Sequence, residues 1–180
     1  DMVRFLKEAL EGEKVAREFD TFEVNGFRLG VRPEQTPPIF VAALREQMLR
    51  LAGKESDGAI INWLGAEDVP QVASIVHDAA GGEQREIVAR IFVCPSDNTQ
   101  VVRDAAKFAI AAYMNVPVYA KFQEWLGRGP QLEEMWAAWS GGDRKAALAA
   151  ISDEVVDALI VHGTPEQCRE QIGRYFDNGV

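Results

Sequence analysis

Three short, mostly apolar runs constrain this chain more than any other feature of its sequence. They are Ile39-Phe40-Val41-Ala42-Ala43-Leu44, Ala59-Ile60-Ile61-Asn62-Trp63-Leu64 and Ile87-Val88-Ala89-Arg90-Ile91-Phe92-Val93. A strand with one wet face alternates apolar and polar residues, whereas a continuous run is apolar on both faces. Here each run is followed by a helical pattern, and strands of this kind alternating with helices imply a parallel sheet covered by helices. Such a sheet is either open and doubly wound or closed as a barrel. No GxGxxG follows any of the runs, so a dinucleotide-binding reading has little support. An irregular hairpin and a Pro-rich connector, Arg32 to Pro38, lead into the regular series and fit a barrel with insertions.

Between the runs, helices are expected over Gln47 to Ala52 and Glu67 to Ala80, the second with Val69, Val72, Ala73 and Val76 on one face. A long helix begins near Ser96, capped by Ser96 with Asp97. Further helices follow at Tyr119 to Leu126, Leu132 to Trp139 and Asp153 to Val161, the last capped by Ser152. Thr164-Pro165-Glu166-Gln167 is a capping box with Pro at the first helical position, opening a helix to about Phe176. Near the start, Asn25-Gly26 between alternating apolar residues predicts a tight hairpin turn. The chain opens inside a helical pattern (Met2, Phe5, Leu6, Ala9, Leu10) and closes on Asn178-Gly179-Val180, a helix stop leading into a strand. Both ends read as cuts, and residues 1–180 as a single-domain fragment of something larger.

Composition excludes several function classes. The net charge is -9, which repels phosphate backbones and anionic lipid, so neither nucleic acid nor a membrane is an expected partner. Cys94 and Cys168 form no CxxC pair, and His77 and His162 stand alone, so no metal-ligand cluster is legible. Two unpaired thiols fit a reducing cytoplasm.

Pro38 to Leu44, then Met48-Leu49-Arg50-Leu51-Ala52-Gly53 and Asp57 to Leu64, resemble the luciferase-like monooxygenase superfamily, closest to its actinobacterial branch that uses an 8-hydroxy-5-deazaflavin coenzyme. Asp153 to Leu159 and Gly163 to Arg169 resemble the same family's last helical pair. The resemblance implies an α/β fold: a partial (β/α)8 TIM barrel, fifth to seventh units, with an insertion hairpin and extra helices. The first four strands and the eighth would be missing. It implies an oxidoreductase passing a hydride between a cofactor and a small organic substrate, with the deazaflavin coenzyme F420 preferred and FMN as the alternative. An FMN-dependent two-component monooxygenase is the nearest rival. A homodimer is expected of the intact protein. A half barrel also leaves strand edges unpaired, so an inert, unstable or self-associating fragment is the reading from a different class.

Barrel ligands sit at the C-terminal ends of the strands. One such end is Ala42-Ala43-Leu44-Arg45-Glu46, where a strand turns straight into a helix whose free amides suit a phosphate. The resemblance places the cofactor phosphate at this turn, usually on a small-Gly-Pro sequence. Here Leu44-Arg45-Glu46 replaces it: Arg45 offers a guanidinium, Glu46 an unwelcome negative charge. Alternatively, both are a solvated first turn. Asn62 could bond the cofactor or cap the turn ahead of Glu67, and Trp63 reads as packing. At the third end, Phe92 to Ser96, Cys94 has no evident base and reads as inert. His77 reads as a surface residue and His162 as a partner for a helix C-terminus. Trp125, Met135, Trp136 and Trp139 read as helix packing, with a lid over the mouth as the lesser reading. No catalytic residue is assigned, because the family's ring contacts lie mostly on the absent strands.

Overall fold

The computed structural model describes residues 1–180. At its start α1 (Met2–Leu10) packs on a hairpin of β1 (Val15–Glu18) and β2 (Glu23–Phe27). Ala9, Val15 and Phe19 form a small core there, with Phe5 and Phe22 against it. The hairpin exists, but its turn is not Asn25-Gly26. The chain reverses at Phe19–Phe22, where the Phe19 amide donates to the Phe22 carbonyl at 2.8 Å. Asn25-Gly26 lies inside β2, whose register runs Val15 to Phe27 and then Ala16 to Asn25. Gly26 is the extra residue of a bulge at φ +92°. A bulge and a tight turn both need positive φ, which glycine adopts without strain, so the dipeptide alone could not separate them.

The three apolar runs are parallel strands. β3 (Phe40–Ala42), β4 (Gly58–Asn62) and β5 (Glu86–Arg90) form one sheet in that order, joined by α2 (Glu46–Glu55), a 3-10 turn (Ala66–Asp68) and α3 (Val69–Ala79). Beyond Ile91 the third run continues as β6 (Phe92–Pro95) and changes partner. A helical layer follows: α4 (Thr99–Met114), α5 (Pro117–Trp125), α6 (Gly129–Ser140), α7 (Arg144–Ala150) and α8 (Asp153–Leu159). β7 (Ile160–Gly163) then pairs parallel with β6, and α9 (Pro165–Asp177) ends the fold. The strands do not close into a ring.

Three local expectations are corrected. The helix expected to reach Val161 stops at Leu159, and Ile160 enters extended backbone (φ -124°, ψ 119°) to start a strand the sequence reading lacked. The β-branched pair Ile160-Val161 continues the helical apolar spacing, so only the pairing with β6 decides its state. The long helix begins at Thr99, capped by Asn98, whose side-chain oxygen accepts from the Val101 amide at 3.2 Å; Ser96 instead accepts from the Asn98 amide. α7 was not anticipated. Its cap, Asp143, accepts from the Ala146 amide at 2.9 Å. By contrast, Ser152 and the Thr164–Gln167 box cap as expected.

One face of the strand layer is covered by α2, α3 and α9, although Val93 of β6 is 44% exposed. Ala59, Ile61 and Ile87 meet Leu49, Val72 and Val76 from α2 and α3, while Val161 meets Cys168 and Tyr175 from α9. The other face is divided. Phe92, Cys94 and Ile160 are covered by α4, α6 and α8 through Ile110, Met135 and Val156. Ala42, Ile60 and Val88 are uncovered, the last two 38% exposed.

Candidate functional site

The open half of the sheet carries the site. At the end of β3 the chain turns through Ala43, Leu44 and Arg45 into α2. Arg45 occupies the cap position in extended backbone (φ -120°, ψ 171°) with no side chain capping the helix. The first intrahelical bond is donated by Leu49 to the Arg45 carbonyl, so the amides of Glu46, Gln47 and Met48 have no partner inside the helix. These amides and the helix dipole give α2 a positive end. Glu46 does not oppose it as its sequence position suggests. Its carboxylate is held by Arg50, one turn on, with Oε1 accepting at 2.8 and 3.0 Å. Arg45 forms no ion pair.

A cleft of about 480 Å³ opens at this turn, walled by Ala42, Leu44 and Arg45 to Met48, and closed on the far side by Val118 and Trp125 of α5. A second lobe of about 270 Å³ adjoins it through Ala42 and Leu44 and reaches across the open sheet face to Ile60, Asn62, Arg90 and Tyr119. The predicted residues Ala42, Ala43, Leu44, Arg45 and Asn62 are thus brought together around one two-lobed cavity. Asn62 does not cap the following turn: the Gly65 amide is taken by the Asp68 carboxylate at 2.7 Å. The Asn62 side-chain oxygen is buried and has no hydrogen-bond partner. A buried acceptor left unpaired costs about 1–3 kcal/mol.

Trp63 packs as expected and does more. It is 1% exposed and sits at φ +57°, the sole non-glycine residue with positive φ. Gln123, fully buried on α5, secures that bend by donating to the Trp63 carbonyl at 2.6 Å. The indole stacks on Phe92 with centroids 4.0 Å apart, and the Arg90 guanidinium lies 4.3 Å from the Phe92 centroid. Sequence reading missed Gln123, Arg90 and Tyr119, since each reaches the site across the fold. The Trp stripe divides: Met135 and Trp136 pack in the helical layer, whereas Trp125 walls the cleft.

At the ends of β6 and β7 a polar hollow of about 550 Å³ is lined by Ser96, Arg103, His162, Gln167 and Arg174, among others. Several of its charges are already matched, Arg174 to Glu67 and Arg103 to Asp157. Asp157 accepts from Arg103, and His162 Nε2 donates to the same carboxylate oxygen at 2.8 Å. Burial acts to raise the Asp157 carboxyl, but the bonds from Arg103 and His162 outweigh it and hold the group below the ordinary carboxylate value. So His162 serves a carboxylate, not a helix end. His77 is half-buried and its Nε2 lies 3.0 Å from the Arg85 carbonyl, pinning α3 to the start of β5. Cys168 is buried and Cys94 half-buried, both as free thiols. No helix is long and apolar enough to cross a membrane.

Comparison with known proteins places this geometry. The chain is 30% identical to a 5,10-methylenetetrahydromethanopterin reductase of Methanolobus tindarius, over 95% of the chain and 54% of the relative. It is 26% identical to the enzyme of that name from Archaeoglobus fulgidus, over 100% of the chain and 57% of the relative. The solved structure of the coenzyme F420 dependent tetrahydromethanopterin reductase from Methanopyrus kandleri superposes with a TM-score of 0.78 at 18% identity, covering 99% of the chain and 55% of that structure. The chain therefore spans about half the length of the relatives it matches. The family model described as luciferase-like monooxygenase matches residues 1–180, and the chain belongs to that family.

Proposed function

We propose that this chain is the C-terminal half of a (β/α)8-barrel oxidoreductase, and that its two-lobed cavity holds part of a deazaflavin coenzyme, F420, with FMN as the alternative. β3, β4 and the β5/β6 run would be the barrel's fifth, sixth and seventh strands, with β7 a further strand of the same wall. The observation that carries the reading is the uncapped start of α2, three unpartnered amides beside an unpaired Arg45, opening into a cleft. An anion there gains both the amides and the helix dipole. The uncovered face of Ala42, Ile60 and Val88 supports the barrel, because parallel strands are normally covered on both sides and a barrel lumen supplies that cover.

The bound cofactor would supply hydride transfer with a small organic substrate. This chain's residues would bind and orient it: the α2 amides and Arg45 on the phosphate, Asn62 on a polar group further in, and Ala42 with Leu44 excluding water between the lobes. The intact protein is proposed as a homodimer. Fluorescence titration with F420, FMN and their unphosphorylated counterparts tests the reading. Phosphorylated forms should bind more tightly, and Arg45→Gln should narrow that advantage several-fold. Equal affinity with and without the phosphate would refute the α2 assignment, and binding of FMN alone would move the preference to the monooxygenase alternative.

A further inference from the structure

Asn-Gly occurs twice in this chain, at Asn25-Gly26 and at Asn178-Gly179. A glycine after asparagine leaves its backbone nitrogen open to the neighbouring carboxamide, because no Cβ stands in the way. The two sites have opposite surroundings. At Asn178 both groups that could react are held: Nδ2 donates to the Ala66 carbonyl at 2.8 Å, and the Gly179 amide donates to the Phe176 carbonyl at 3.1 Å. Asn25 is exposed, and its side chain bonds no other group of the protein. Gly26 has no register partner in β1 and sits at φ +92°. The ribbon that carries it has two strands, and such a ribbon is marginally stable and opens locally at little cost. Lys14, just before β1, is exposed and forms no ion pair. Its Cε and Nζ lie 2.7 and 3.3 Å from where a Cβ on Gly26 would stand.

We propose that Asn25 is a self-modifying site, converting to aspartyl and isoaspartyl residues with the help of Lys14, while hydrogen bonds keep Asn178 intact. Hydroxide takes the Gly26 amide proton, and the Gly26 nitrogen bonds to Asn25 Cγ. The Cγ–Nδ2 bond breaks, and Nδ2 takes a proton from water and leaves as ammonia. Water then opens the five-membered succinimide at either carbonyl, giving aspartate or its isoaspartyl isomer with no change of oxidation state. Negative charge builds on the Gly26 nitrogen and the Asn25 side-chain oxygen, where the Lys14 ammonium favours it. The isoaspartyl form lengthens the main chain by one carbon, which a strand already bulged at Gly26 accommodates. Either product adds a negative charge to a net charge of -9 and sets it beside Lys14.

The test is to age the intact chain in mildly alkaline buffer, digest it and follow both Asn-Gly peptides by mass spectrometry, with isoaspartyl methyltransferase labelling as a second readout. Asn25 should convert about tenfold or more faster than Asn178, since holding nucleophile and leaving group out of reacting geometry costs at least that. In denaturant, where those bonds are gone, the two rates should come within about threefold of each other. Lys14→Gln should slow Asn25 about twofold, the size of an effect between exposed charges, and leave Asn178 unchanged. Equal rates in the folded chain, a faster Asn178, or a rate ratio that persists in denaturant would overturn the proposal. An unchanged Asn25 rate in Lys14→Gln would overturn the part given to Lys14.

Discussion

The two polar hollows of this molecule, one at the ends of β3 and β4 and one at the ends of β6 and β7, differ in what their polar groups already have. In the second, Arg103 and His162 both bond the Asp157 carboxylate, although Arg103 Nε is itself buried without a hydrogen-bond partner, and Thr164 and Gln167 reciprocally cap α9. In the first, the α2 amides, Arg45, Arg90 and the Asn62 oxygen lack partners. A bonded network stabilises a fold, whereas groups without protein partners, hydrated where exposed and costly only where buried, are the ones free to meet a ligand. The contrast explains why the more polar hollow is the weaker candidate site.

Four substitutions would break or sharpen that contrast. Trp63→Ala removes the buried indole that joins the open cleft to the helical layer, at an expected cost of about 3–5 kcal/mol in denaturant unfolding. Gln123→Leu strands the Trp63 carbonyl, and its expected cost is about 1–3 kcal/mol. Asp157→Asn weakens the satisfied network. Because the folded carboxyl lies below the ordinary value, its stabilisation is complete above an unfolded pKa near 3.9 and lost as pH falls through the lower folded value. The side chain is 52% exposed, and screening limits the effect to about 0.5–1 kcal/mol. Melting curves from pH 7 down to pH 3 should therefore converge for the two proteins. The smallest effect is expected from Asn62→Leu, neutral or stabilising by up to about 1 kcal/mol, since it removes an orphan acceptor. A loss above 2 kcal/mol there would mean that Asn62 is structural and would end the contrast.

How much of this was legible beforehand follows the range of the interaction involved. Thr164 and Gln167 are three residues apart, and their reciprocal cap was readable. So were Val69, Val72 and Val76, whose spacing alone states which face of α3 is buried. The turn at Ala42 to Arg45 was placed correctly because a strand running into a helix is a local pattern. Gln123 and Trp63 are 60 residues apart, and no local pattern announces that bond. Arg90 carries no local signal within its run, and only the pairing of β4 with β5 sets it beside Asn62. Ile160 to Gly163 became a strand because β6 was there to pair with.

The open face of Ile60 and Val88, together with the free edges of β3 and β7, also bears on how the chain behaves in bulk. Two copies meeting there would adhere over short distances through apolar contact, while a net charge of -9 pushes them apart over longer ones. Salt acts on only one of these: at about 0.1 M the repulsion is confined to roughly 10 Å, and stronger screening shortens it further while leaving apolar adhesion intact. The colloidal stability of the isolated chain is thus set by ionic strength, and dilute buffer is the condition that keeps single molecules in solution.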